Sequence, residues 1–440
     1  ASFLLAACLS MHAEVKLPAI FSDGMVMQQQ TNANLWGTAT PNKKVTVTTG
    51  WNGKQYAVTA DKNGSWKLSV STPEAGGPYT ITFDDGTPKT LNNILIGELW
   101  LCSGQSNMEM PMKGFKNQPV ENANMDILHS KNPQIRLFTV KRTSTFTPQN
   151  DVIGSWKEAT PVSVREFSAT AYYFGRLVNE ILDVPVGLVV AAWGGSACEA
   201  WMTADWLKAF PEAKIPQTEA DIKSKNRTPT VLYNGMLHPL IGMTMKGVIW
   251  YQGEADANSS KITMPAYTKA MESMVSDYRT VFNDDSLPFM YVQLAAFDNP
   301  GGEYAAMREA QFNYMIGKNT TNGKPENVGM AVITDNTDNI KDIHPRNKSE
   351  VGRRLSLWAR KLVYNEENLE YTGPIFKAVE QVTTEDGTKA LKITFEDYSV
   401  MNGLKLKDNT LVGMTLAGDD KEFKTVSGYE LADDNKSIIV

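Results

Sequence analysis

The feature that most constrains this chain is a change of hydrophobic period after Asn93. Upstream, from about Val15 to Asn93, short β-rich runs such as Val45–Thr49, Gln55–Thr59 and Trp66–Val70 alternate with the turn signals Asn52-Gly53, Asn63-Gly64 and Asp85-Gly86. Short strands with that turn chemistry predict a small β-sandwich. Downstream, apolar runs of strand length alternate with helical patterns. Ile94–Cys102, Val186–Ala192, Val248–Tyr251, Phe289–Ala295 and Val328–Thr334 read as buried strands. Between them Ser168 caps a helix whose Ala171, Phe174, Leu177, Val178, Ile181 and Leu182 follow helical spacing, and further helices are expected near 266–282, 304–316 and 348–364. Strands alternating with helices predict an α/β domain: a doubly wound parallel sheet with its site at the carboxyl ends of the strands. From about Thr372 the chain is β-rich again, with turn signals at Asp386-Gly387, Asp408-Asn409 and Asp434-Asn435. Its end, Ile438-Ile439-Val440, reads as an unprotected strand in an incomplete β unit. The expected division is 14–93, 94–366 and 367–440.

A chain of 440 residues suits two or three such domains. With 42% hydrophobic and 21% charged residues it has the apolar material for real cores, and a formal charge of -6 without a basic cluster argues against nucleic-acid binding. Residues 1–13 resemble the tail of a secretory signal peptide: Phe3–Leu9 is apolar, too short to span a membrane, and ends in small residues before Ala13 and Glu14. Leu5-Ala6-Ala7-Cys8 also fits a bacterial lipoprotein box, so a lipid anchor at Cys8 is the alternative to cleavage near Ala13. Either address is export, to the periplasm or the medium, and no transmembrane segment is expected. Cys8, Cys102 and Cys198 cannot form a disulfide framework, and the four histidines show neither HExxH nor a cysteine partner at ligand spacing. No metal site is expected.

Four polar clusters fall where the expected strands end. Ser106, in Gly104-Gln105-Ser106-Asn107, sits on a strand-to-helix turn where its hydroxyl would be exposed and its amide aimed at a developing oxyanion; a helix-capping serine is the other reading. The residue two after it is Met108, so this is not the GxSxG elbow of α/β-hydrolases. Gly194 and Gly195, in Trp193–Ser196, suit either an oxyanion amide or an ordinary tight turn. Gln252, in Trp250–Glu254, could donate its side-chain amide to an oxyanion or satisfy loop carbonyls. His344, in Asp342-Ile343-His344-Pro345, is the preferred general base, because the rival His238 precedes a strand instead of following one.

Taken together, GQSNM at Gly104–Met108, WGG at Trp193–Gly195, WYQGE at Trp250–Glu254 and DIHP at Asp342–Pro345 resemble the sialate O-acetylesterase branch of the SGNH hydrolases, with Leu17–Gln28 similar to the start of gut and rumen bacterial members. The resemblance runs from about Val15 to Tyr364. It implies an SGNH-type, flavodoxin-like sheet, with Ser106 as nucleophile and His344 as its base. It also implies an oxyanion hole made of the Ser106 and Gly195 amides with the Gln252 side chain. The usual acid three residues before the histidine is Lys341 here, which leaves Asp342 as the expected third member, with Asp338, Asp335 or no acid as alternatives. Asn107, Glu254 and Glu199 are candidate supports, and Trp201 could stack on a sugar. No cofactor is implied.

The activity expected is removal of O-acetyl groups from sialic acid, of the 9-O type, through an acetyl-enzyme. An esterase acting on acetylated plant polysaccharide such as xylan is the first alternative, and a non-catalytic carbohydrate-binding protein the second. A substrate-facing arginine would favour the acidic sugar, but Arg165, Arg308, Arg346 and Arg353 cannot be ranked by sequence, nor can pairing of Cys102 with Cys198 be read from it.

Overall fold

The computed structural model describes residues 14–259, 262, 266–406 and 409–440. The expected signal remnant, Cys8 included, and Asp408 of the expected Asp408-Asn409 turn lie outside these. The chain divides into two compact units, Ala1–Val363 and Tyr364–Val440.

The first unit opens with seven strands: β1 (Val26–Gln28), β2 (Asn32–Thr38), β3 (Lys44–Thr49), β4 (Gln55–Thr59), β5 (Ser65–Ser71), β6 (Gly76–Asp84) and β7 (Pro88–Gly104). β2 and β5 form an antiparallel ribbon, while β4, β3, β6 and β7 pair antiparallel in that order, with β1 parallel to β7. Burial alternates along β3, whose Val45 and Val47 are fully enclosed, as expected of strands with one wet face. β7 is 17 residues long and carries the chain from this region into the central sheet. The expected boundary at 93/94 therefore falls inside one continuous strand.

The central sheet continues with β8 (Asn132–Thr139), β9 (Trp156–Ala159), β10 (Val186–Ala192), β11 (Gly247–Tyr251), β12 (Phe289–Val292) and β13 (Val328–Ala331), in the order β13-β12-β11-β7-β10-β8-β9. Every pairing is parallel except that of the edge strand β9. With β8 and β9 set aside, β10-β7-β11-β12-β13 is the 2-1-3-4-5 order of flavodoxin-like sheets. The pair β8 and β9 extends the sheet beyond β10 and was not legible in the sequence. β10 to β13 are buried at every residue, which is why they appear as unbroken apolar runs. The last two strands end earlier than their apolar runs suggest, because pairing stops before apolarity does.

The helices of this unit are α1 (Ser106–Glu109), α2 (Ala123–Leu128), α3 (Pro161–Arg165), α4 (Ala169–Leu182), α5 (Ala204–Leu207), α6 (Glu254–Ser259), α7 (Tyr267–Phe282), α8 (Tyr304–Ile316) and α9 (Lys348–Leu362). The Ser168 hydroxyl accepts from the Ala171 amide and caps α4 as expected. α4 packs on β10 and on α9, while α9 covers β12 and β13. Among the described residues no helix is long and apolar enough to cross a membrane.

In the second unit β14 (Phe376–Thr383) and β15 (Lys389–Phe395) form the hairpin expected at Asp386-Gly387, and β16 (Thr415–Leu416) pairs with β17 (Lys424–Thr425). The chain end corrects an expectation. β19 (Ser437–Ile439) is not an unprotected edge: it lies between β15 and β18 (Glu430–Leu431), with Ile438 only 6% exposed.

Candidate active site

β7 leaves the sheet between β10 and β11, where the strand order reverses, and its end carries the serine turn. Gly104 has φ +141°, and a Cβ there would stand 2.1 Å from the Tyr251 carbonyl oxygen, so only glycine fits. The Gln105 amide donates to that carbonyl at 2.9 Å, and its side-chain oxygen accepts from the Ala255 amide at 3.1 Å in the first turn of α6. Ser106 follows as the first residue of α1, where a helix amide has no intrahelical acceptor.

The Ser106 hydroxyl lies 2.9 Å from His344 Nε2. The ring's other nitrogen is 3.0 Å from Gln118 Oε1, and Gln118 Nε2 donates to Asp342 Oδ1 at 2.8 Å. These contacts settle the tautomer. A carboxylate only accepts, so Gln118 turns its NH₂ to Asp342 and its oxygen to the ring; Nδ1 then carries the proton and Nε2 accepts from the serine. Burial, then Lys348, push the His344 pKa down to about 4 against the opposing pull of Asp342, so the imidazole is neutral at pH 7.

Asp342 thus differs from the expected third member. Its carboxylate accepts from the His344 backbone amide at 2.9 Å and reaches the ring only through Gln118. Asp338 and Asp335, the alternatives, face Arg346 at 3.8 Å and Arg354 at 2.5 Å. Gln118 was missed because it sits in the irregular segment between α1 and α2, with no periodicity or motif to mark it. His238 holds the Gln149 carbonyl at 2.7 Å in a separate cleft of about 480 Å³ that Trp36 and Trp66 also line.

The Trp193–Ser196 turn packs against the serine: a Cβ on Gly194 would be 3.3 Å from Ser106 Cβ. Gly195 adopts φ +70°, and among the described residues its amide has no acceptor. Its neighbours are braced. The Gly194 amide donates to Glu109 Oε2 at 2.7 Å, Asn226 Nδ2 to the Gly194 carbonyl at 2.7 Å, and Arg227 Nε to the Gly195 carbonyl at 3.1 Å.

Two expected roles are corrected by burial. Gln252 is fully enclosed: its NH₂ donates to the Ser196 carbonyl at 2.9 Å and to Asp256, and its oxygen accepts from Tyr267 at 2.8 Å. Both its protons are spent, so it braces the glycine turn and has none left for an oxyanion. Trp201 is also fully buried, with its indole N–H on Ser196 Oγ at 2.9 Å and its ring edge-on to Trp250, so it cannot stack on a sugar. Glu199 is buried in the same turn beside Cys198, and both Cys102 and Cys198 are free.

Beneath the serine lies a buried polar cluster. Asn107 Nδ2 donates to Glu254 and to the Ile343 carbonyl at 3.0 Å, and its Oδ1 accepts from Lys348. One amide thus ties α1 to α6, to the histidine loop and to α9. Burial raises Glu254 to about 7 and lowers Lys348 to about 7, moving both toward neutrality. Lys348 escaped sequence reading because a lysine at a helix start looks like a solvated one.

A serine and a neutral histidine in contact at the carboxyl edge of a doubly wound sheet, beside a braced glycine turn, define a serine hydrolase of SGNH type. The family model "Carbohydrate esterase, sialic acid-specific acetylesterase" matches residues 96–356, and the chain belongs to that family. Its relatives include the sialate O-acetylesterases of Pongo abelii and Homo sapiens. Each is 31% identical, over 399 and 402 residues respectively, covering 83% of this chain and 74% of the relative. A crystal structure of a carbohydrate acetylesterase from Xanthomonas citri superposes with a TM-score of 0.80 at 32% identity, covering 97% of this chain and 91% of that one.

Proposed function

We propose that this chain is a sialate O-acetylesterase that works through an acetyl-enzyme. The observation that carries the reading is the 2.9 Å contact between Ser106 Oγ and an imidazole whose Nδ1–H is held by Gln118. Ser106 attacks the acetyl carbonyl as His344 Nε2 takes its proton. The Ser106 and Gly195 amides receive the oxyanion, His344 protonates the departing sugar oxygen, and water then releases acetate by the same route. With the Gln252 and Asn107 side chains committed elsewhere, two backbone amides form the hole. Support for sialic acid as the sugar is the family model and the named relatives. The test is acetate release from 9-O-acetylated sialic acid and from acetylated xylan, side by side. Preference for the sialate supports the reading, and preference for xylan keeps the mechanism while replacing the substrate.

The histidine's surroundings set the expected pH dependence and the effects of changing Gln118. Because His344 stays neutral down to about pH 4, kcat/KM should hold from pH 7 to about 5 and fall only as the pH passes through about 4, where the base is protonated; a fall centred near 6.5 would contradict this. Gln118→Ala removes the acceptor that fixes the tautomer, so kcat should fall roughly 10- to 1,000-fold with KM little changed. In Gln118→Glu a negative charge on the ring nitrogen should move the acidic limb upward, which steady-state rates across pH would show.

A further inference from the structure

The family's named sugar carries a carboxylate, and none of the four arginines weighed from sequence is held against the serine turn. Arg165 pairs with Glu166, Arg353 is doubly bonded to Glu350, and Arg308 donates to the Ala295 carbonyl. Arg346, two residues after the histidine, donates to the Pro119 carbonyl and faces Asp338. A fifth arginine, Arg142, stands differently. It follows β8, and since the Val140 amide continues the pairing with β10 by donating to the Val190 carbonyl, it emerges at the carboxyl edge that carries Ser106.

Two contacts fix the Arg142 guanidinium there. Its Nε donates to Glu109 Oε1 at 2.5 Å, and its plane lies over the Trp193 ring, 5.6 Å from the centroid. The other oxygen of Glu109 holds the Gly194 amide, and Gly194 packs on Ser106. A single carboxylate thus joins the nucleophile helix, the glycine turn and the arginine. The side chain is still 52% exposed, and among the described residues its two terminal nitrogens bond to nothing. A guanidinium anchored through Nε and a ring face, with both Nη groups open, is a fork ready for a second, incoming carboxylate.

We propose that Arg142 reads the carboxylate of the substrate and so sets the preference for an acidic sugar. The proposal rests on the sialate reading above. Glu109 positions the arginine, and by holding Gly194 it keeps the reader at a fixed distance from the hydroxyl that attacks.

The test compares 9-O-acetyl-N-acetylneuraminic acid with its methyl ester, in which the carboxylate is replaced by an uncharged ester, following acetate release by the purified full chain. Wild type should favour the free acid by roughly 10- to 100-fold in KM, the range expected of a charge-assisted bidentate contact, and rising salt should erode that advantage. Arg142→Gln should bring the ratio close to one, Arg142→Lys should leave it between, and Arg346→Gln should leave it unchanged. The proposal is overturned if Arg142→Gln keeps the wild-type ratio, if both forms weaken equally, or if Arg346→Gln is the variant that loses it. Should neither sialate form be deacetylated while acetylated xylan is, the substrate reading itself fails, and the proposal with it. Should Arg142→Gln fail to fold, the salt dependence in wild type and the Arg142→Lys ratio still decide.

Discussion

Replacing Ser106 with alanine is expected to lower kcat by about 10⁴- to 10⁶-fold while leaving the fold intact. The hydroxyl is half-buried, and its side-chain contact in the structure is with His344, so its loss leaves no buried group stranded. His344→Ala should cost about as much, and the double variant little more than either alone. In the proposed mechanism the two side chains perform one event: proton removal has no value without the oxygen that attacks, and the oxygen attacks poorly without proton removal. Acetate release from the three variants, each checked by its melting curve, measures this. Additive losses, with the double variant falling by the product of the singles, would mean that the 2.9 Å contact is not the catalytic one.

Lys348→Met is expected to destabilise the chain by on the order of 3 kcal/mol, although Lys348 never touches the reacting atoms in the structure. Lys348 is completely buried and Glu254 is 3% exposed, and the two meet through the Asn107 amide. One oxygen of Glu254 already lacks a partner. Without Lys348, Asn107 Oδ1 loses its buried donor, and Glu254, already raised to about 7, either takes up a proton or stays a buried charge with no cation to offset it. Denaturant unfolding of Lys348→Met, Glu254→Gln and their combination reads this directly: the double variant should recover much of the loss, because the uncompensated charge goes with the carboxylate. The same substitution removes a positive neighbour from His344, so the acidic limb of the rate profile should move up in pH. An unshifted limb would show that Lys348 does not act on the base.

The parts of this protein legible from sequence are those set by local chemistry. The period of apolar residues is a direct record of which faces are buried, so Val186–Ala192 and Val248–Tyr251 were recognisable as strands of a parallel sheet before any partner was known. The strand-to-helix turn at Ser106 was legible for a similar reason, whereas the need for glycine at Gly104 comes from the neighbouring strand, whose Tyr251 carbonyl leaves no room for a side chain. Ser106 follows the end of one such strand and His344 lies in the loop between another and its helix, so their order in the chain predicts that they share an edge.

Side-chain hydrogen bonds carry no such record. Gln252 and Gln118 are the same residue type; the residues alone left Gln252 open between oxyanion donor and loop support, the family resemblance gave it the first role, and nothing marked Gln118. The fold encloses Gln252 among Ser196, Asp256 and Tyr267, which consume its protons, and brings Gln118 across 226 positions to the histidine ring. Trp201 and Lys348 were misjudged or missed on the same ground, since burial of a polar or aromatic side chain depends on what the rest of the chain packs around it. Local pattern sufficed for the five parallel strands β10-β7-β11-β12-β13, their carboxyl edge and the serine and histidine that meet there, but not for β8 and β9. Which amide holds the imidazole, and which arginine stands open over Trp193, is fixed by contacts between segments that no local pattern connects.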